Sequence, residues 1–395
     1  MKKIMVLGAT LTQIPLLKKA KELGYHTIVA SIDGNYPGFN YADEICYVDI
    51  SKPEEVLIKA QQLKIDGIAT CCMDTPVRAL GYTCERMNLV GLTENAALLC
   101  NNKWLMKQAF EKYGVNTAKC KKISSLEEMK NALECLSLPV IVKAVDLQAS
   151  RGVYVAHTKE EAFAGFEKAM KDTHQDFCIV EEFIVGEEFG AQAFVYNNEV
   201  LFVLPHGDYT FYTNTALPIG HFAPLNLSKE TLSLAEEQAK KAIKAVGLNN
   251  CAVNIDMIYK DGKVYMIELT GRAGATNLCE LVSVYYGINY YEMITLMAMG
   301  KDPRVVFDKK ATSVTPNGSK FIYSDKSGIL KEIINHNSDD DDVVEYELYV
   351  KKGDYVNKFA DGKDRLGHVI IKSTSTSECL NKIDAFCKNI EIVLE

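Results

Sequence analysis

Basic residues are scarce in this 395-residue chain: 44 Lys and Arg stand against 52 Asp and Glu, for a net charge of -8. A nucleic-acid binder needs a basic face for its phosphate contacts, so that class is set aside, while a local basic pocket for a nucleotide is not. Long apolar runs are missing too. No stretch reaches the roughly 18 residues of a membrane-spanning helix. The opening Met1-Lys2-Lys3-Ile4-Met5-Val6-Leu7 resembles a secretory leader only until Gly8, Thr10, Thr12 and Gln13 interrupt it. Cysteine is plentiful at 12, but no two form a C-x-x-C, which removes support for zinc-ribbon and thioredoxin-type sites. Scattered through apolar runs, the cysteines read as small buried hydrophobes of a reduced, cytoplasmic protein. A glycine-rich dinucleotide fingerprint is also wanting. Gly8 stands alone where three spaced glycines are needed, so a nicotinamide cofactor has little support. Internal repeats and long linkers are absent.

What is present is ordinary globular material, with 48% apolar and 24% charged residues. The length asks for two or three domains. The pattern divides at 1–100, 101–303 and 304–395. In the first part short apolar strands (Lys3–Leu7, Thr27–Ser31, Glu44–Val48, Gly67–Thr70) alternate with helical spacing (Gln13–Leu23, Pro53–Leu63, Pro76–Met87). That alternation predicts a parallel sheet with crossover helices, whose ligands sit beyond the carboxyl ends of the strands, here 8–10, 33–35 and 73–75. The second part mixes hairpins and helices: strands at Val140–Ala144, Val153–His157, Cys178–Glu182, Phe189–Tyr196 and Val200–Pro205, and an amphipathic helix at Lys229–Ala245. A further strand pair, Ala252–Tyr259 and Lys263–Leu269, flanks Asp261-Gly262, a strong hairpin signal. The third part is strand-rich, with an acidic run at 337–342 that reads as a solvated loop, and it is expected to close with a helix near Glu378–Asn389. The fold class is thus α/β and α+β.

Two acids carry the first chemical signal. Asp256 and Glu268 each interrupt an apolar strand, and an unpaired buried charge is expensive. The turn between the strands brings both acids to the same end. Hard oxygens on neighbouring strands suit Mg²⁺, which takes one or two carboxylates along with substrate phosphates; the plainer reading is a structural ion pair. Arg272, in a glycine-rich turn just beyond, can stabilise developing anionic charge or make a salt bridge. Lys143 ends an apolar strand and can offer its ammonium to phosphate. The loop 146–152 after it has Ser150, Arg151 and Gly152 to cover phosphates with side chains and backbone N–H groups.

In order and spacing these pieces resemble the ATP-grasp superfamily. The resemblance rests on Lys103 opening a helix in Asn102-Lys103-Trp104, the Lys143 strand with its Ser150-Arg151-Gly152-Val153 loop, Glu181-Glu182-Phe183-Ile184 with Glu188 beyond, and Asp256, Glu268 and Arg272. It implies an ATP-grasp fold preceded by a parallel α/β domain and followed by a strand-rich subdomain. It implies that Lys103 and Lys143 contact ATP phosphates, that the 146–152 loop closes over them, that Glu181 with the backbone of Glu182 and Ile184 reads the adenine, and that Glu188 holds the ribose. Asp256 and Glu268 would bind Mg²⁺, or Mn²⁺ in its place, as two ions, and Arg272 would stabilise an acyl phosphate. The family often has Asn where this chain has Thr270, and several glycines where this loop has only Gly152. Both departures bear on how the phosphates and the second ion are held.

The reaction implied is activation of a small carboxylate by ATP, then attack by an amine. The stretch 206–227, rich in Tyr, Phe, Asn, Thr and His, reads as an irregular substrate wall. Within it Gly220-His221-Phe222-Ala223-Pro224 resembles amino-acid ligases, making His221 a candidate for substrate orientation or proton transfer; a structural loop histidine is the plainer reading. The tail around Gly353 and Gly367 also resembles amino-acid ligases and carboxylase-type relatives. A carboxylate–amine ligase, joining amino acids, is therefore the favoured expectation, with small-molecule partners only; the resemblance also allows a homodimer. A bicarbonate-using carboxylase or carbamoyl-phosphate-type enzyme, and an ATP-binding homologue without turnover, are the alternatives.

Overall fold

The computed structural model describes residues 1–147, 151–212, 216–308 and 314–395. The chain forms two compact units. The first comprises Met1–Val203, Ser228–Ala273 and Tyr291–Arg304, the second Leu204–Leu227, Gly274–Tyr290 and Val305–Glu395.

The first unit opens with the expected parallel sheet. Strands β1 (Lys3–Leu7), β2 (His26–Ser31), β3 (Glu44–Tyr47) and β4 (Gly67–Ala69) lie in the order β3-β2-β1-β4. Ile4 to Leu7 and Ile28 to Ala30 are fully buried, as continuous apolar strands covered on both faces must be. Helices α1 (Ile14–Glu22), α2 (Pro53–Leu63) and α3 (Val77–Met87) make the crossovers. Pro53 starts α2 at a position where its missing N–H costs nothing. Helix α4 (Glu94–Cys100) then leads to α5 (Lys103–Lys112), which Asn102 caps by accepting a hydrogen bond from Leu105 N at 3.1 Å.

A second sheet holds β5 (Cys120–Ile123), β6 (Val140–Lys143), β7 (Val153–Ala156) and β8 (Cys178–Glu182), ordered β5-β8-β6-β7 and antiparallel throughout. Helices α6 (Leu126–Cys135) and α7 (Lys159–Asp172) pack on it, burying Met129, Leu133 and Phe166 against Val140, Val142, Cys178 and Val180. Strand alternation then turns Lys143, Ile179 and Glu181 to the opposite face. A third sheet is built by β9 (Glu187–Tyr196), with β12 (Cys251–Lys260) between it and β13 (Lys263–Thr270). Asp261 and Gly262 both have positive φ, 49° and 75°, as the two-residue hairpin between β12 and β13 requires. Helix α8 (Lys229–Val246), capped by Ser228 and ended by Gly247, packs on β13.

Strand β10 (Glu199–Tyr212) carries the chain into the second unit. There it continues as an antiparallel sheet with β11 (Ala216–Ala223), β14 (Asn317–Ile322), β18 (Gly367–Lys372) and β16 (Val343–Leu348). Strands β15 (Gly328–Asn335), β17 (Tyr355–Val356) and β19 (Ile390–Leu394) form a small separate sheet, and the unit also contains helices α9 (Leu278–Tyr286) and α10 (Thr376–Lys388). Two expectations are corrected here. The stretch 206–227 is largely two paired strands, because its Tyr, Phe and Thr residues are strand formers whose mixture with polar neighbours imitates a loop. The last element is not the helix but β19, whose Ile390, Ile392 and Leu394 pack on the core of this unit. All 12 cysteines are free thiols. Among the described residues no helix is long and apolar enough to cross a membrane.

Candidate functional site

The β12–β13 register places Asp256 directly opposite Glu268, with a bulge immediately after Asp256. Val253, Ile255 and Met257 are buried on one face of β12, so Asn254 and Asp256 share the other. In the next rung Asn254 lies opposite Thr270 and accepts a hydrogen bond from Gln192 Nε2 at 2.7 Å. Glu268 Oε2 lies 3.3 Å from Lys103 Nζ. The Lys103 charge outweighs burial and, helped by Lys143, holds the Glu268 carboxyl below its ordinary pKa. The pair therefore offers hard carboxyl oxygens from adjacent strands, with Glu268 held anionic, the kind of donor that Mg²⁺ takes beside phosphate.

Helix α5 adds two lysines one turn apart. Lys103 Nζ also donates to Leu147 O at 2.8 Å. Lys107, which sequence reading passed over, is buried, donates to Thr117 Oγ1 at 2.6 Å and forms an ion pair with Glu181 Oε2 at 2.8 Å. Lys143 takes the other oxygen of Glu181. Burial works to raise the Glu181 pKa, but the two ammonium groups overcome it and hold the carboxyl at about 2. Burial likewise opposes the charge on Lys143, and Glu181 more than restores it. These five charged side chains, Lys103, Lys107, Lys143, Glu181 and Glu268, line one cavity with Met106, Ile179 and Ile267. A wider groove in the second unit, between 323–326 and β19, contains none of them.

The other residues expected here are less concentrated. Gly152 has φ +66°, and a Cβ there would come within 2.7 Å of Ala144 Cβ, so glycine is required at the end of the loop. Arg151 beside it is exposed, and Ser150 lies outside the described residues. Glu182 is half-buried with Lys119 Nζ at 3.5 Å, and Ile184 is half-buried just past β8. Glu188 is exposed on β9 opposite Ile258, two residues along β12 from Asp256 and on the same face.

Arg272 has a partner that sequence reading missed. Its Nε and Nη2 donate to the two oxygens of Asp74, each at 2.7 Å, and its Nη1 donates to Ala273 O at 3.1 Å. Asp74 lies 198 positions away, in the 73–75 segment beyond β4 that topology marks as a ligand-facing end. Burial works to raise the Asp74 pKa, but the bonded guanidinium prevails and keeps the carboxyl below its ordinary range. The same contact holds Arg272 charged against burial. The plainer reading of Arg272, a salt bridge, is thus met by a partly buried bidentate pair with Asp74.

In the second unit His221 sits directly opposite Asp208 across β10 and β11. Its Nδ1 is 2.6 Å from Asp208 Oδ1, and His206 Nδ1 approaches the same oxygen at 3.1 Å. Both imidazoles are buried, with ring centroids 5.0 Å apart and edge to face. A carboxylate only accepts, so each Nδ1 carries the proton directed at Asp208. Burial depresses the His206 pKa although Asp208 opposes it, so that ring stays neutral.

Comparison with known proteins supplies the rest. Residues 101–245 match the family described as phosphoribosylglycinamide synthetase, ATP-grasp (A) domain, and residues 320–395 match L-amino acid ligase C-terminal domain 2. The solved structure of phosphoribosylglycinamide synthetase from Anaerococcus prevotii is 49% identical, with a TM-score of 0.88 over 100% of both chains. L-amino acid ligase from Bacillus licheniformis is 19% identical, with a TM-score of 0.82 over 100% of this chain and 99% of that one, a likeness of fold. Alanine–anticapsin ligase of Bacillus subtilis (strain 168) is 26% identical over 297 residues, and the chain spans only 62% of that relative's length.

Proposed function

The chain belongs to the ATP-grasp superfamily, and from that premise we propose that it is an ADP-forming ligase that joins a small carboxylate to an amine. The observation that carries the reading is that Glu268, paired across the hairpin with Asp256, lines one cavity with Lys103 and Lys143. Two carboxylates alone would repel a triphosphate; with two lysines beside them they can share one through a cation. Asp256 and Glu268 would hold Mg²⁺, whose chemistry here is to neutralise the phosphate oxygens. Lys103 and Lys143 would bind the phosphates, and Arg151, Gly152 and Ser150 would cover them. The backbone at Glu182 and Ile184 would read the adenine, and Glu188 would bind the ribose. The Glu181 carboxylate, taken up by two lysines, is better placed to tune those lysines than to read a base.

In the proposed reaction a carboxylate oxygen attacks the γ-phosphorus and ADP leaves. An amine then attacks the acyl carbon and phosphate leaves. Arg272 would stabilise the anionic acyl phosphate and the tetrahedral species that follows it. His221, its Nδ1 tied to Asp208, would present Nε2 to orient a substrate or accept a proton. Thr270 stands where an amide oxygen would better serve a second ion, so that ion would be held chiefly by the two carboxylates. The names of the relatives support an amino acid as the carboxylate, with a second amino acid or a phosphoribosylamine as the amine. The test is phosphate release from MgATP with single and paired amino acids, with glycine plus phosphoribosylamine, and with bicarbonate. Release that needs both an amino acid and an amine is expected. Release with bicarbonate alone would favour a carboxylase, and none under any condition would sink the ligase reading.

A further inference from the structure

The Glu181 carboxylate is 3% exposed and meets two lysines, one on each oxygen. The two are tethered differently. Lys107 is also bonded to Thr117 Oγ1 at 2.6 Å, and that hydroxyl donates to Met266 O at 2.8 Å, which ties the lysine through Thr117 to β13. Among the described residues Lys143 bonds Glu181 alone. It is therefore the lysine able to turn to a new anion, but doing so removes one of the two charges on a buried carboxylate. A buried carboxylate with no counter-ion is strongly unfavourable, and one with a remaining counter-ion is not.

We infer that Lys107 is a positioning residue for the nucleotide: it keeps Glu181 neutralised so that Lys143 can leave it for the triphosphate. The inference rests on the ATP-binding reading above and adds a residue to it. Without Lys107, Glu181 would hold Lys143 as its sole counter-ion and compete with the phosphates for it. A lysine that served only to hold α5 against β13 would affect folding and would do so whatever stood at 181.

The test is a double-mutant cycle read by nucleotide binding. MgADP and MgATP dissociation constants are measured by calorimetry for wild type, Lys107→Met, Lys107→Arg, Glu181→Gln and Lys107→Met/Glu181→Gln, alongside thermal unfolding of the nucleotide-free proteins. Lys107→Met is expected to weaken MgATP binding by about tenfold or more, while Lys107→Arg restores most of it. In the Glu181→Gln background, where no charge needs a counter-ion, adding Lys107→Met should change affinity by less than about threefold. Where the single variant is poorly folded, the comparison inside the Glu181→Gln background with Lys107→Arg still decides the matter. Equal weakening by Lys107→Met in both backgrounds, or none in either, overturns the inference while leaving ATP binding intact. A wild-type chain that binds no MgATP sinks the nucleotide reading itself, and the inference with it.

Discussion

Replacing Arg272 with methionine removes the guanidinium while keeping much of the volume, and leaves Asp74 without its bidentate partner. Each of the two 2.7 Å bonds is charge-assisted, a class whose net contribution is about 1.5–3 kcal/mol. Breaking a fully buried pair costs about 3–5 kcal/mol. Asp74 keeps 24% of its side-chain surface exposed and feels the Lys103 charge as well, which places this case lower, at about 2–3 kcal/mol. For a cooperative unit of this size that is a fall of roughly 6 °C in the melting transition of the first unit. Asp74→Asn should lower it by a similar amount, because it leaves Arg272 charged with a weaker acceptor. Arg272→Met/Asp74→Leu, which removes both charges, should regain most of the loss, since an apolar pair of like volume is often near neutral. Differential scanning calorimetry measures the cycle, and phosphate release with amino acid and amine measures function in the same proteins. Turnover in Arg272→Met should fall by about 10²-fold or more, with MgADP affinity little changed. It should not return in the double variant, because stability and charge stabilisation are separate debts to the same side chain. A single variant that melts with wild type, or a double variant no more stable than the worse single, would refute the reasoning about the pair.

Asp256→Asn and Glu268→Gln should each abolish Mg²⁺-dependent turnover while the fold survives, and titration with Mn²⁺ followed by electron paramagnetic resonance should show fewer ions held in the presence of ADP; undiminished binding in both would remove the metal assignment. Glu188→Ala should raise the KM for ATP with kcat nearly unchanged, and a pure loss of kcat would exclude contact with the ribose. The Glu181 carboxyl, depressed from 4.5 to about 2, contributes about 3 kcal/mol of stability that is complete above its unfolded pKa and lost as pH falls through the folded one. The stability gap between wild type and Glu181→Gln, measured by urea unfolding, should therefore narrow from pH 4.5 downward; a gap constant with pH would count against the double-lysine contact.

How much was legible in the sequence depends on whether a residue's role is local. Asp256 and Glu268 could be paired on paper because a two-residue Asp-Gly turn fixes the hairpin register, and the register then sets which side chains share a face. Lys143 and Glu181 were visible for a related reason: each follows apolar residues whose alternation sends Val140, Val142, Cys178 and Val180 to the helices and the charged ends to the other face. Lys107 was not, because on an amphipathic helix a lysine one turn after Lys103 reads as one more solvated residue. Only the fold shows that both lysines of α5 turn inward. Asp74 was missed for want of a partner nearby. Its arginine follows a strand of a different sheet in the same unit, and no periodicity links the end of β4 to the turn after β13.

The same contrast bears on how the site works. Three of the residues that the sequence motifs expose each have a charged neighbour that the motifs do not. Lys107 stands behind Glu181, Asp74 behind Arg272, and Asp208 behind His221 in the second unit. Each hidden partner opposes the burial of the residue it serves: Lys107 helps keep Glu181 ionised, Asp74 keeps Arg272 charged, and Asp208 fixes which nitrogen of His221 carries its proton. A group already ionised and held in place needs less reorganisation when charge develops beside it, the condition under which electrostatic stabilisation of a transition state is largest. Replacing a hidden partner should therefore change the affinity or rate of its visible neighbour without changing which substrate is bound. A partner whose loss altered substrate choice instead would be touching the substrate itself.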